Sequence, residues 1–190
     1  MDPLTRLAHG ARAGDDQALE ALVQATYDQV WRLCATLLDT QAADDLAQET
    51  FLRAVSALPR FRGESSVRTW LLAIARHVCL DELRARSRRR RRDKASAVVD
   101  EATVADPCED VTTNDLVGRL QPDRRAAFVL TQMFGLSYEE TADICECPVG
   151  TIRSRVARAR ADLVAAVHQA EVGVQRRTVR SANECSTGGS

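Results

Sequence analysis

Aromatic residues are scarce in this chain of 190 residues, at 4% of the total, although hydrophobic residues as a whole make up 45%. Leu, Ala and Val supply most of the apolar side chains. Strands favour aromatic and β-branched residues, whereas Ala and Leu lose little on entering a helix, so this composition favours helices. No convincing strand is evident, and the length allows one ordinary domain or two small ones. We therefore predict an all-α protein.

Residues that hold metals or perform catalysis are also sparse. His9, His77 and His168 are scattered, no Gly-rich phosphate loop is present, and no acidic cluster indicates a metal. The six cysteines include no CxxC pair. The Cys-Glu-Cys segment 145–147 could be a redox or metal fragment, but we favour buried, small apolar residues in a reducing cytosol. The sequence thus predicts no catalytic residue, metal site or cofactor, and a protein that is not an enzyme.

Long apolar segments are missing as well. No run approaches the ~20 residues that are needed to span a bilayer. The N-terminus has no apolar stretch of the kind that a secretory signal peptide requires. We therefore expect a cytoplasmic protein that does not insert into a membrane.

Charge is segregated along the chain, although the formal net charge is only −1. Residues 1–94 carry net +3 and residues 116–190 carry net +2, whereas residues 95–115 hold six acids and no base. This acidic stretch is poor in large apolar residues, which is typical of a flexible linker between two folded units. Just before it, Arg88 to Arg92 form a basic run that is either simply solvated or in contact with phosphates.

Helical periodicity and capping signals divide the first unit into three helices. The expected spans run from a cap at Asp15 or Asp16 to Leu37, from Asp44 to Pro59, and from Val67 to Arg86. The segment RFRGESS, 60–66, separates the second helix from the third and resembles a turn. Ser65 or Ser66 can cap the third helix.

The second unit contains the signals of a helix-turn-helix. Pro122 suits the first turn of one helix, and Gly135 suits the left-handed end of that helix. Ser137 and Glu140 form the capping box S-x-x-E of a short helix, and Pro148 stands at the first turn of the next. Two helices joined by a tight turn, the second more basic, are typical of a DNA-binding module.

This last helix, 148–163, separates its side chains into two faces when it is laid out at ~100° per residue. One face is an apolar stripe formed by Val149, Ile152, Val156 and Leu163. The opposite face carries short side chains flanked by two arginines, namely Arg153, Ser154, Ala157, Arg158 and Ala161. Short residues allow a helix to approach the floor of a groove, while arginines reach base edges or phosphates. The alternatives are a solvated basic face or, with less support, a membrane-surface helix.

The remaining two arginines of this helix, Arg155 and Arg160, border the apolar stripe. We expect each of them to meet a phosphate or an acidic neighbour rather than to enter a groove. The periodicity alone thus separates Arg153 and Arg158, which can enter a groove, from Arg155 and Arg160, which border the apolar stripe.

Two segments resemble one known family. LSYEETADICECPVGTIRSRVARARADL, 136–163, resembles region 4 of the extracytoplasmic-function sigma factors of bacterial RNA polymerase. DDLAQETFLRAVSALPRFRGESSVRTWLLAIARHVCLDELR, 44–84, resembles their region 2, and the resemblance covers roughly residues 15–168. It implies two small helical domains, a region 2 bundle and a region 4 helix-turn-helix, joined by the acidic linker. The expected boundaries are an N-terminal extension at 1–14, region 2 at 15–92, the linker at 93–115, region 4 at 116–170 and a disordered tail at 171–190.

The resemblance implies a protein that binds core RNA polymerase, directs it to specific promoters and helps to open the DNA. Region 2 is expected to dock on the β′ clamp helices and to engage the minus-ten element. Region 4 is expected to engage the minus-35 element and the β flap, and an anti-sigma factor is a possible further partner. The alternative is a free-standing helix-turn-helix regulator that binds DNA as a dimer without polymerase, which leaves region 2 unexplained.

The resemblance also assigns residues to each surface. The polymerase contacts are expected to be Asp45, Gln48, Glu49 and Arg53, with Leu46 and Phe51 structural. The minus-35 contacts are expected to be Thr151, Arg153, Ser154, Ala157 and Arg158. The minus-ten contacts are expected to be Phe61, Gly63, Ser65, Ser66, Trp70, Arg76, His77 and Arg84. His77 departs from the family, which often has Asn at this position, and His and Asn offer different hydrogen-bonding groups, so the preferred base is left open. His77 has either a DNA contact or a structural role.

Overall fold

The structure is a computed structural model that describes residues 2–96 and 113–186, with side chains for 2–93 and 115–169. Every regular element in these ranges is helical, which confirms the predicted all-α fold. The eight α-helices found there are α1 (Pro3–Arg12), α2 (Asp16–Leu37), α3 (Ala43–Ala57), α4 (Val67–Ser96), α5 (Thr113–Gly118), α6 (Pro122–Phe128), α7 (Tyr138–Cys145) and α8 (Val149–Ser186). Most of the predicted acidic linker lies outside the described residues.

The first unit is a bundle in which α2, α3 and α4 pack against one another. Its buried residues recur at intervals of three and four along each helix, because those positions share one face. They include Val30, Leu33, Cys34 and Leu37 of α2, Ala43, Leu46 and Ala47 of α3, and Leu72, Ala75, Val78 and Cys79 of α4. Burial of a Leu or Val side chain is worth about 1.5–3 kcal/mol, so this core fixes which faces of α3 and α4 remain outside.

Capping side chains set the starts of α2 and α4. The carboxylate of Asp15 accepts two backbone N–H groups of the first turn of α2, at 2.9 and 3.1 Å, so Asp15 rather than Asp16 is the cap. The hydroxyl of Ser66 accepts a backbone N–H of α4 at 3.0 Å, so Ser66 rather than Ser65 has this role. In each case the structure selects one of the two residues that the sequence offered.

The N-terminal segment is a helix, where we expected only an extension over residues 1–14. Asp2 caps α1 by accepting a backbone N–H at 3.2 Å, and Pro3 occupies the first turn. Ala8 is buried, and Leu4 and Leu7 pack with it against the first unit. An Asp cap, a proline at the first position and apolar residues at helical spacing are helix signals, so the sequence did contain the evidence for α1.

Two helices are longer than predicted. α4, which we expected to end near Arg86, continues to Ser96 and includes the arginine run 88–92. Repulsion along this run is partly offset because Arg89 donates to Glu82 at 3.2 Å within the helix. α8 is helical as far as Ser186, where we expected a disordered tail, because Ala, Gln, Glu and Arg in this stretch are good helix formers.

From α6 to the start of α8, the helices of the second unit begin and end where the sequence signals predict. A π-helical turn at 129–133 completes the helix that begins with α6, and Gly135 ends it at a φ of 67°. The capping box of α7 is present, since Ser137 accepts the Glu140 N–H at 3.0 Å and Glu140 accepts the Ser137 N–H at 2.8 Å. The turn into α8 contains Glu146 in the left-handed region, with a φ of 52°.

The two units also pack against each other, through α4 with α7 and through α2 with α6. Arg125 of α6 is buried and donates to the carbonyl of Leu37, the last residue of α2, at 2.7 Å. The same guanidinium donates to the carbonyls of Gly118 and Leu120. Carbonyls at a helix C-terminus are unsatisfied and carry partial negative charge, so here they take the place of an acidic partner.

Replacement of the α2 cap tests this local description. We expect Asp15→Ala to lower the free energy of unfolding by about 1 kcal/mol, because two backbone N–H groups lose their acceptor. Asp16→Ala, one residue further into the helix, is the matched control, and its loss should be smaller. Urea unfolding followed by circular dichroism measures both; equal losses would show that the cap is not at Asp15.

Candidate nucleic-acid and polymerase interfaces

The outer face of α8 is arranged as the periodicity predicts. Ile152, Val156 and Ala159 are buried, so α8 presents its other side outward. That outward side consists of the predicted residues Arg153, Ser154, Ala157 and Arg158, all of them exposed, with Thr151 half-buried at its start. Neither Arg153 nor Arg158 forms an ion pair within the described part of the chain. Two unpaired guanidinium groups therefore flank a strip of short side chains.

The other two arginines of α8 are anchored to the protein. Arg155 donates to the Asp123 carboxylate at 2.9 Å and lies 3.4 Å from the sulfur of Cys147. Arg160 donates to the Gln132 side-chain oxygen at 2.7 Å. The expected acidic neighbour is confirmed for Arg155, whereas Arg160 meets a neutral amide instead.

The loop 61–66, FRGESS, is held at both ends, and its middle is exposed. Gly63 has a φ of 75°, which an L side chain rarely adopts, and Arg62, Gly63 and Glu64 are exposed. Ser65 is half-buried, and the hydroxyl of Ser66 is occupied by the cap of α4. The backbone of the loop is therefore the part that is most open to a ligand.

Phe61, which we expected to contact the minus-ten element, is buried in this structure. Only 5% of Phe61 is exposed, and its ring centroid lies 4.9 Å from that of half-buried Trp70. Both rings belong to a second core cluster that also contains Val67 and Leu71. An apolar ring at the start of a loop is buried whenever neighbouring helices provide a pocket, so Phe61 anchors the loop from below.

Two of the predicted minus-ten residues of α4, Arg76 and His77, face the second unit. Arg76 is buried, and its Nη2 lies 3.7 Å from an Asp123 oxygen. His77 Nε2 lies 3.5 Å from a Glu146 oxygen, and half of its side chain remains accessible. Arg84, further along α4, is exposed and lies 3.6 Å from Asp81. In this arrangement, Asp123 of α6 lies next to Arg76, and Glu146 in the turn between α7 and α8 lies next to His77. No local sequence pattern predicts these contacts.

The expected polymerase face of α3 is open. Asp45 and Gln48 are exposed, and Glu49 is half-buried. Arg53 donates to Glu49 at 2.8 Å and to Asp81 at 2.9 Å, so it is tied to α4 as well as to its own helix. These hydrogen bonds, Asp81 first, raise the pKa of Arg53 from its ordinary value. Leu46 is buried, as expected of a structural residue.

Two apolar residues of α3 were missed. Leu52 is 66% exposed and Val55 is 43% exposed, on the same outward side as Gln48. Leu52 lines a shallow groove together with Glu49, Arg53, Ser56, Ala57 and Arg60. A helical wheel that assigns Leu46 and Ala47 to the core already places Leu52 on the other side, so the signal was available.

Neither a metal site nor a membrane-spanning helix is found in the described ranges. No group of three His, Cys, Asp or Glu side chains within the described residues could hold a metal ion. None of the helices described here has the length and hydropathy that crossing a bilayer requires. Cys34, Cys79 and Cys145 are buried and Cys147 is half-buried, all as free thiols, in agreement with the apolar role that we favoured.

Comparison with known protein families gives two matches that follow the two helical units. Residues 22–89 match the family Sigma-70 region 2, and residues 114–163 match the family Sigma-70, region 4. Over 168 residues the chain is 50% identical to the probable RNA polymerase sigma-C factor of Mycobacterium bovis, across 86% of this chain and 91% of that protein. Over 169 residues it is 33% identical to the ECF RNA polymerase sigma-E factor of Escherichia coli, across 81% and 88%.

Solved structures are similar over most of the chain. The complex of CnrH with the cytosolic domain of CnrY matches with a TM-score of 0.66 at 26% identity, covering 88% of this chain and 99% of that one. The sigma factor RpoE in complex with the anti-sigma factor NepR, from Bartonella quintana, matches with a TM-score of 0.64 at 26% identity, covering 78% and 96%.

Chemical labelling of the two cysteines on either side of Glu146 tests how α7 is packed. Burial raises the pKa of Cys145 to about 11, so at pH 8 about one Cys145 thiol in a thousand is ionised. We expect iodoacetamide at pH 8 to label half-buried Cys147 at least roughly tenfold faster than Cys145. Mass spectrometry of the labelled peptides measures this, with urea-unfolded protein as control. Faster labelling of Cys145 would contradict the packing of α7.

Proposed function

The chain belongs to the sigma-70 family, in the group of extracytoplasmic-function sigma factors, and on that premise we propose which of its residues meet polymerase and promoter. As a sigma factor it binds core RNA polymerase, directs it to specific promoters and assists DNA opening at initiation. Sigma factors are regulatory subunits, and the polymerase supplies the chemistry. The free-standing regulator is disfavoured because it leaves residues 22–89 without a role.

We propose that α8 reads the minus-35 element through Arg153, Ser154, Ala157 and Arg158, with Thr151 on a phosphate. The observation that carries this proposal is the pair of exposed arginines, free of ion pairs within the described residues, on either side of short side chains. Arg can bind a guanine edge with two hydrogen bonds, and a short residue next to it lets the helix come close. The Asp123 and Gln132 contacts of Arg155 and Arg160 support the same division, because they hold α8 from behind.

We propose that the minus-ten site consists of the loop 61–66 and the outer face of α4. Gly63 opens the backbone to an extruded base, with Ser65 and Ser66 beside it, while Phe61 and Trp70 form its floor. His77 and Arg84 lie further along α4 and supply base and phosphate contacts. Glu146 and Asp123 lie over His77 and Arg76 in this arrangement, so promoter DNA reaches them only when α7 moves away from α4.

We propose that α3 docks on the polymerase through Asp45, Gln48, Glu49 and Arg53, which surround Leu52. The exposed leucine supports this assignment, since large apolar side chains on an outer face commonly mark a protein interface. The charged ring then excludes water around an apolar centre. The partners proposed with it are the β′ clamp helices for α3 and the β flap for region 4.

Further properties follow from these assignments as proposals. An anti-sigma factor is a partner of this chain, because the similar sigma factor RpoE was solved in complex with the anti-sigma factor NepR. The protein works in the cytoplasm, where promoters and polymerase are found, and needs no catalytic residue, metal or cofactor of its own. The boundaries proposed for region 2 and region 4, 15–92 and 116–170, closely follow the matched ranges 22–89 and 114–163.

A substitution on α8 tests the reading face. We expect Arg158→Ala to reduce discrimination between minus-35 sequences by about 1–3 kcal/mol, because a base contact is lost, while binding to core polymerase is unchanged. The assay is promoter-specific transcription by the reconstituted holoenzyme on promoters with substituted minus-35 bases. Arg119→Ala, which removes an exposed arginine outside α8, is the control.

Three outcomes of that experiment separate the possibilities. A similar loss on every sequence would reassign Arg158 to a phosphate. Absence of specific initiation by the wild-type protein on any fragment of its genome would overturn the promoter assignments as a whole. Tight, specific binding to duplex DNA without polymerase, in a gel shift, would favour the free-standing regulator.

A substitution on α3 tests the polymerase face. We expect Leu52→Ala to weaken binding to core polymerase roughly five- to thirtyfold, the equivalent of about 1–2 kcal/mol of lost apolar burial. Competition with labelled wild-type protein for core polymerase measures the change. Met133→Ala, which truncates an exposed apolar residue of the second unit, is the control and should compete as well as wild type. Equal behaviour of the two variants would remove Leu52 from the interface.

A further inference from the structure

The helix α1 lies directly beneath the base-receiving loop, although it is outside the residues 22–89 that match region 2. It packs against α2, against α4 and against the turn at 58–60 that leads into the loop. Leu4, Leu7 and Ala8 of α1 belong to the same core cluster as Phe61 and Trp70. The floor of the loop is therefore built in part by a segment that the family match does not include.

A close contact between helices fixes the end of α1. At Gly10 a Cβ atom would lie 2.9 Å from the Cβ of Ala18, a distance that real Cβ atoms essentially never show. Glycine therefore allows α1 to press against α2 just before α1 ends at Arg12. Because the backbone is held at this point, the side chain of Arg12 starts from a defined position.

Arg12 uses that position to hold the first residue of the loop. Its Nη1 donates to the carbonyl oxygen of Phe61 at 3.0 Å, across 49 residues of sequence. The N–H of Phe61 donates to the carbonyl of Leu58 at 3.0 Å, so both backbone polar groups of Phe61 are engaged. A hydrogen bond from a charged donor is stronger than one between neutral groups, and the guanidinium keeps further donors for solvent.

The far end of the loop is held independently. Ser66 caps α4, accepting the Thr69 N–H at 3.0 Å, with its hydroxyl 2.8 Å from that of Thr69. Residues 62–65 thus span a short distance between two fixed points, with Gly63 in the left-handed region between them. If the Phe61 carbonyl were released, only the end at Ser66 would remain defined by a hydrogen bond to a side chain.

We infer that α1 is a working part of the minus-ten site and that Arg12 is a positioning residue, which sets the shape of the loop that receives the extruded base. The inference rests on the proposed function of the loop and adds a residue that it did not include. Arg12 acts through the Phe61 carbonyl. Its loss leaves the outer face of α3 and the reading face of α8 untouched, so it affects the choice of base at one promoter position and not polymerase binding or minus-35 reading.

The experiment compares Arg12→Ala with Arg12→Lys and Arg12→Gln in reconstituted holoenzyme. A promoter on which the wild-type protein initiates is prepared with each of the four bases at every minus-ten position, and open-complex formation is measured. We expect Arg12→Ala to lower discrimination at one of these positions about three- to tenfold, the size of one hydrogen bond. Arg12→Lys keeps a charged donor and should recover part of the loss, and Arg12→Gln less.

Arg6→Ala is the matched control, because Arg6 is an exposed arginine on the same helix with no side-chain contact to the loop among the described residues. It should discriminate as the wild type does. The inference is overturned if Arg12→Ala discriminates as well as wild type, if all promoters lose activity equally, or if Arg6→Ala has the same effect. Failure of the wild-type protein to open any promoter would instead overturn the proposed function, so the two failures are distinct.

Discussion

Everything else in this structure depends on α4, which is packed on two sides. Its apolar residues Leu72, Ala75 and Val78 close the bundle with α2 and α3. The neighbouring positions Arg76 and His77 point to the second unit, where Asp123 and Glu146 meet them. Since one helix supplies both surfaces, its rotation is set by the burial of the apolar side, which is worth far more than the two polar contacts with Asp123 and Glu146. The core thereby determines which side chains are available to DNA.

Ion pairing and exposure sort the arginines into two groups with different roles. Arginines that hold helices together are paired, as Arg155 is with Asp123, Arg86 with Asp39 at 2.5 Å and Arg53 with Asp81. Contact with Arg86 lowers the pKa of Asp39, even though burial of that carboxyl acts in the opposite direction. Arg153 and Arg158, on the outer face of α8, have no acidic partner within the described residues. A near-neutral protein thus presents local positive charge where a phosphate backbone approaches.

The sequence allowed most helices and the exposed face of α8 to be predicted, because these depend on local periodicity and capping. The capping box at Ser137 and the left-handed Gly135 were predicted from residues next to each other in the chain, and the exposed face of α8 was predicted from helical periodicity. α1 was missed although its signals are equally local. The burial of Phe61 and the partners of Arg76 could not be predicted in this way. They arise from contacts between segments far apart in the chain, which no local pattern records.

The outer face of α3, with Leu52, is open, whereas the second unit covers part of α4, and this difference implies an order in which partners can bind them. The covering contacts at His77 and Arg76 are long, at 3.5 and 3.7 Å, and their partners Glu146 and Asp123 are partly solvated, so they contribute little to holding the units together. Arg125 contributes more, because its 2.7 Å hydrogen bond to the Leu37 carbonyl is buried and burial lowers the pKa of its guanidinium. Under the assignments proposed above, polymerase can bind α3 first, and separation of the units, which must break that bond, then exposes the proposed minus-ten face to a polyanion that replaces Glu146 and Asp123.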